Sequence, residues 1–231
     1  MKLEAIEVNP EQAPLFTVIW LHGLGADGSD FEGLVPELAI PKSASVRFVF
    51  PHAPVQPVTL NGGMRMRAWY DLYSLDISRG EDQQGIFRME QILGEVIRAE
   101  HARGVPFDHI LLAGFSQGGA MALFTALRFP EKLAGIMGLS SYLPLISRMA
   151  EPALQAANQH TPVFLAHGLE DNVLLWEYGQ ATANYLQEQQ YSVDWRSYPM
   201  GHELCGEEIL AIGTWLRNIV GANGRDMALS K

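Results

Sequence analysis

The chain has 231 residues, 48% hydrophobic and 18% charged, enough to bury the core of one domain. Its formal net charge of -10 opposes a phosphate backbone, so nucleic acid is excluded as an expected partner, and no apolar run reaches the ~20 residues of an integral membrane segment. A lone Cys205 excludes an internal disulfide, and the acidic N-terminal stretch MKLEAIEVNPEQ has no apolar signal core, so a cytoplasmic protein is expected.

In chain order, Leu3–Val8 reads as an edge strand pairing antiparallel, and Thr17–Leu21 as a strand nearly continuous in apolar residues. Strands covered on both faces have that composition. LHGLGADGSDFEGL follows at once, with Gly23, Gly25 and Gly28 at the GxGxxG spacing of a dinucleotide-binding turn. Such a site wants a carboxylate at the end of the second strand. Here Val46–Phe50 ends in Pro51-His52, so no nicotinamide or flavin cofactor is expected. Ser29 and Glu32 have the spacing of a capping box, which explains a helix start without a pyrophosphate.

Residues 51–84 are rich in Pro, Gly, Met and aromatics without clear periodicity, and read as a loop-rich excursion. Ile86, Met89, Leu93 and Val96 then recur at helical spacing. Ile110–Ala113 is a strand, and directly after it comes Gly114-Phe115-Ser116-Gln117-Gly118. With 22 Gly and 12 Ser in the chain, chance predicts about 0.1 match to GxSxG. A strand before and a small-residue helix after make this a sharp turn that carries a nucleophilic serine on strained backbone. Glycine at 114 and 118 leaves room for helix and strand to approach.

Ala134–Leu139, Val163–Ala166 and Val193–Tyr198 complete the strands, and Ile209, Ile212, Trp215 and Ile219 mark a last helix. A serine hydroxyl needs a base. Of the histidines after Ser116, His160 precedes a strand and His167 runs into a turn with two carboxylates, whereas His202 lies past the last strand. His202 is therefore the expected base. A zinc HExxH site is excluded because the second histidine position is Gly206. Among later carboxylates, Glu170 and Asp171 alone occupy a loop directly after a strand; one should orient the imidazole and the other is a solvated charge. The first glycine loop gains a role here, with the backbone amides of Leu24 and Gln117 facing an oxyanion. The donors are backbone groups, so Leu24→Ala and Gln117→Ala are expected to hurt much less than Ser116→Ala.

Strands alternating with helices give an α/β chain with a mostly parallel central sheet and helices on both faces. Residues 1–221 read as a single domain and 222–231 as a frayed tail. Apolar side chains on loops at strand ends form the expected substrate wall: Met64, Met66, Trp69, Leu72, Tyr73, Leu143, Leu145, Leu174, Leu175 and Trp176. The same side chains could instead make a homodimer patch or a membrane-surface contact.

WLHGLGADGSDF, FPHAPVQPVTLNGG, AWYDL, GFSQGGAMAL, LSSYLPL, HGLEDNVL and YPMGHEL together resemble the carboxylesterase/phospholipase branch of the α/β-hydrolases. That branch includes bacterial carboxylesterases and acyl-protein thioesterases, and the similarity runs nearly end to end. It implies the α/β-hydrolase fold, a Ser116, Asp171, His202 triad, no cofactor and no metal. Asp171 is preferred because the family's acid lies three residues after the glycine of its HG pair, here Gly168. The implied activity is that of a serine carboxylesterase acting on small-molecule or lipid-like esters of short-to-medium acyl chains through an acyl-enzyme. An acyl-protein thioesterase or a lysophospholipase would use the same triad. A non-catalytic binding protein on this scaffold would be expected to lose one of the three residues. The chain departs from the family's pattern at Leu174-Leu175-Trp176, which are more apolar.

Overall fold

The computed structural model describes residues 3–146 and 157–229, with residues 78 and 222–229 as backbone only. Alternate residues along each central strand pack into two separate cores. On β2 (Phe16–Leu21) and β6 (Ile110–Phe115), Ile19, Leu21, Ile110 and Leu112 enter one core, while Val18, Trp20, Leu111 and Ala113 enter the other. Burial of both faces is why these strands are apolar throughout. The first core is closed by α2 (Gln83–Ala102), α3 (Gln117–Arg128) and α4 (Trp176–Glu188), and the second by the one-turn α1 (Ser29–Glu32) and α5 (Gly206–Leu229).

The remaining strands of the sheet are β1 (Ala5–Val8), β3 (Val46–Pro51), β7 (Gly135–Leu139), β8 (Val163–Gly168) and β9 (Val193–Tyr198). Their order is β1-β3-β2-β6-β7-β8-β9 once the residues 51–84 are set aside. All neighbours pair in parallel except β1, which runs antiparallel to β3 with Ile6 opposite Phe50. The expected edge strand is there, shortened at its start. Parallel pairing brings the C-terminal ends of β2, β6, β8 and β9 to one edge, where ligands bind in open α/β sheets.

Three local expectations change. Residues 51–84 contain a hairpin, β4 (Val55–Val58) against β5 (Met64–Arg67), turned by Gly62 and Gly63 at positive φ. Each strand has only four residues, too few for periodicity to register. The Ser29/Glu32 capping box is not formed. Asp27 Oδ1 instead accepts from Ser29 N at 2.8 Å and Ser29 Oγ at 2.6 Å, and Gly28 N donates to His52 Nδ1 at 3.0 Å. Helix α5 continues to Leu229, through most of the segment expected to fray, and residues 230–231 lie outside the described residues. Gly221 and Gly224 each cost only about 1 kcal/mol of helix propensity, and no proline stops the helix.

Among the described residues, no helix is long and apolar enough to cross a membrane. Glu208 in the first turn of α5 is fully buried, with no ion-pair partner among the described residues. Burial pushes its pKa up to about 8. Between the unfolded value near 4.5 and pH 8 the folded chain therefore holds a proton the unfolded chain has lost, and stability falls as pH rises through that window. Glu208→Gln is expected to flatten this fall and to stabilise the fold at pH 7.5 by roughly 1–3 kcal/mol. Thermal unfolding of both proteins between pH 5 and 8 checks it; an equal slope in the two would contradict the assignment.

Candidate active site

Ser116 stands between β6 and α3 at φ 54°, ψ -123°, a region costly for a residue with a Cβ. Two close approaches hold it there. A Cβ at Gly114 would collide with the backbone of Gly118, and one at Gly118 with the carbonyls of Leu21 and His22. Ser116 N also donates to Leu139 O at 2.8 Å. The hydroxyl is thus presented at the tip of the turn, beside the first amides of α3. Those amides have no partner inside the helix.

Two segments from the far end of the chain meet this hydroxyl. His202 lies in the turn after β9, four residues before α5 begins, and its Nε2 is 2.9 Å from Ser116 Oγ. Its Nδ1 is 2.7 Å from Asp171 Oδ2, and Phe115 packs on the ring with centroids 4.8 Å apart. Asp171 is buried, and its Oδ1 accepts from Val173 N at 2.9 Å and Leu174 N at 2.8 Å. Burial alone would raise its pKa. Hydrogen bonds from His167, His202 and Leu174 outweigh this and hold the carboxyl well below the usual carboxylate range. Glu170 is exposed and its backbone N donates to Met200 O, so the ambiguity between the two carboxylates resolves geometrically: Asp171 reaches the imidazole.

The loop after β2 is fixed from several sides. His22 is fully buried, with Nδ1 2.7 Å from Gly23 O and Nε2 accepting from Ala53 N at 3.0 Å. A carbonyl can only accept, so the proton is on Nδ1. Burial lowers the pKa of this ring. Gly25, at φ 78°, donates to Arg67 O at 2.8 Å. Leu24 and Gln117 line the same cavity as Ser116 and His202. Gln117 has a second function the sequence did not disclose. Its buried side chain accepts from Trp69 N at 2.9 Å and donates to Tyr70 O at 2.8 Å. Truncating this side chain leaves two buried backbone groups unpaired, a cost to stability that its backbone role alone would not bring.

The cavity beside Ser116 has a volume of about 570 Å³. Of the expected wall, Leu72 and Leu174 line it. Met64, Met66, Trp69, Tyr73, Leu143, Leu145, Leu175 and Trp176 do not. Met64 is 64% exposed on the β4–β5 hairpin. Trp69 is buried in the core with Nε1 donating to His22 O at 2.7 Å, and Leu143 is core packing whose N donates to Thr182 Oγ1. Trp176 sits against Trp195 and donates to Ser197 Oγ at 2.9 Å. The wall is completed by Phe31, Tyr70, Leu75, Ile77, Tyr142 and Val173. Tyr70 and Tyr142 join hydroxyls at 3.1 Å. Adjacent large side chains on irregular backbone face different ways, so Trp69 turns into the core while Tyr70 reaches the cleft. Sequence spacing carries no signal for which does which.

Comparisons with known proteins agree with this architecture. A family model described as phospholipase/carboxylesterase matches residues 3–220. Acyl-protein thioesterase 1 of Neurospora crassa is 41% identical over 208 residues, covering 87% of this chain and 85% of that protein. The Schizosaccharomyces pombe protein of the same name is 38% identical over 223 residues, covering 96% and 98%. Among solved structures, Zea mays acyl-protein thioesterase 2 superposes with a TM-score of 0.83 at 28% identity, covering 94% of this chain and 99% of that one. Arabidopsis thaliana SOBER1 gives the same score at 29% identity, covering 89% and 99%. The serine at the strained turn, the imidazole and carboxylate behind it and the family match over nearly the whole length lead to one conclusion: the chain belongs to the phospholipase/carboxylesterase family of α/β-hydrolases.

Proposed function

We propose that the chain is a serine esterase in which Ser116 is the nucleophile, His202 the general base and acid, and Asp171 the group that orients and stabilises the imidazolium. The observation that carries this reading is the relay Ser116 Oγ–His202 Nε2 at 2.9 Å and His202 Nδ1–Asp171 Oδ2 at 2.7 Å, opening on an apolar cleft. Ser116 Oγ attacks the carbonyl carbon while His202 Nε2 takes its proton. The amides of Leu24 and Gln117 receive the negative charge on the carbonyl oxygen. The proton on Nε2 then goes to the leaving oxygen or sulfur, and water repeats the sequence on the acyl-enzyme.

Carboxylic esters with an apolar acyl group of short-to-medium length suit the cleft. Leaving a thiol is a specific second reading, favoured by the names of the fungal relatives. A thiolate of pKa near 8.5 departs with little need of a proton, whereas an alkoxide must receive one. A panel of p-nitrophenyl esters, acyl thioesters and lysophospholipids, read as kcat/KM, ranks the leaving groups. Labelling of Ser116 by a fluorophosphonate tests the nucleophile; labelling at another residue would remove the proposal.

Acyl preference follows from the wall. Each methylene buried adds about 0.8 kcal/mol, roughly fourfold in kcat/KM, until the cleft is filled. The expected profile climbs with chain length and then falls. Leu72→Ala and Leu174→Ala are expected to move the optimum to longer chains, and Met64→Ala to leave it in place. An optimum unmoved by both cleft variants would put the acyl site elsewhere.

A further inference from the structure

Asp171 is met by a second imidazole that the mechanism above does not use. His167, the fifth residue of β8, is fully buried, and its Nε2 lies 2.8 Å from Leu174 O and 3.3 Å from Asp171 Oδ2. A carbonyl and a carboxylate oxygen can only accept, so the proton must be on Nε2, shared between them. Its Nδ1 is buried against α4 with no partner among the described residues, and a Cβ at Gly179 would collide with it. A proton at Nδ1 would have nothing to bond there, so the Nε2–H tautomer is favoured from both sides. Trp195 of β9 closes the remaining face, with ring centroids 6.4 Å apart. The titratable groups facing His167 are Asp171 and, through it, His202 of the turn after β9; α4 presents the Gly179 backbone there.

Resting on the triad proposed above, we propose that His167 is a positioning residue that sets the strength of the Asp171–His202 couple. Asp171 then receives two backbone amides on Oδ1 and His202 on Oδ2, and the N–H edge of His167, bonded to Leu174 O, stands 3.3 Å from the same Oδ2. Each further donor spreads the carboxylate charge and weakens its pull on the imidazole proton. The fork also ties Leu174 O, so the same ring holds the acid and the segment that contributes Val173 and Leu174 to the cleft. A ring that served only as core filling would do the first task no better than a leucine.

His167→Leu removes the donor. Asp171 becomes the stronger acceptor, imidazolium at His202 is favoured, and the acid limb of the kcat/KM profile should move to higher pH by about half a unit. Loss of the Nε2–H bond to Leu174 O also loosens the turn that carries Asp171, and this misplacement of the acid, rather than the change in base strength, should lower the plateau rate roughly tenfold. Gln at 167 places an amide N–H where Nε2–H stands, so His167→Gln should restore the limb and most of the rate. The wild-type enzyme provides a reading that needs no variant: nitrogen-15 correlation spectra should place the proton of His167 on Nε2 and none on Nδ1 while the enzyme is active. A proton on Nδ1, or a His167→Leu limb superimposing on wild type, overturns the proposal. Failure of the triad itself looks different, since wild type would then show no Ser116 labelling and no esterase activity.

Discussion

Ser116→Ala is expected to fold normally and to lose roughly 10⁴–10⁶ of kcat, leaving weak hydrolysis from the oxyanion amides and the cleft. The hydroxyl makes no bond that the fold needs: Ser116 N, not its side chain, bonds Leu139 O, and among the described residues Oγ meets only His202. Relief of crowding at the positive φ does not come with alanine, which keeps the Cβ, so thermal unfolding should shift by little. Steady-state kinetics with a p-nitrophenyl ester, alongside circular dichroism, provides both readings. A folded Ser116→Ala enzyme with more than a few per cent of wild-type activity would end the nucleophile assignment.

The second large effect is at Asp171. Asp171→Asn can keep its carbonyl on the amides of Val173 and Leu174, but it then turns an N–H₂ toward both His202 Nδ1 and His167 Nε2. His202 must accept there, which places its proton on Nε2, where it cannot take one from Ser116. A loss of roughly 10⁴ in kcat is expected, as for the wrong tautomer in serine proteases. The exposed Glu170 offers the matching control, and Glu170→Gln should change kcat by less than about twofold. Measuring the two variants side by side decides the matter; a crippled Glu170→Gln with an active Asp171→Asn would reverse the assignment.

The sheet was readable because its physics is local. Strands buried on both faces must be apolar throughout, and Thr17–Leu21, Val46–Phe50 and Ala134–Leu139 were placed to within a residue. Ser116 was readable because helix and strand can approach that closely only with glycine at 114 and 118. Asp171 was half readable. Glu170 and Asp171 share a turn, and which side chain points inward depends on contacts with Met200 and Leu174, residues distant or unremarkable in sequence. The cleft was least readable. Trp69 and Leu143 satisfy any pattern for a substrate wall, yet they are core, and the direction of a loop side chain is settled by tertiary packing. The amide of Gln117 was hidden for the same reason, since its partners Trp69 N and Tyr70 O belong to a segment 47–48 residues away.

That pair of bonds has a bearing on how such an enzyme can change. Gln117 is the first residue of the helix behind the nucleophile, and its side chain holds the backbone from which the next stretch, Leu72 to Ile77, departs toward the cleft. The reacting centre and the root of the recognition loop are thereby riveted into one piece, while the loop beyond the rivet is held by separate contacts, Leu60 N on Leu72 O and Ile77 against Tyr142 and Leu174. Substitutions from 72 onward can reshape what the enzyme accepts without loosening what does the chemistry. A descendant with new substrates is therefore expected to differ first at those outer positions and last at Gln117.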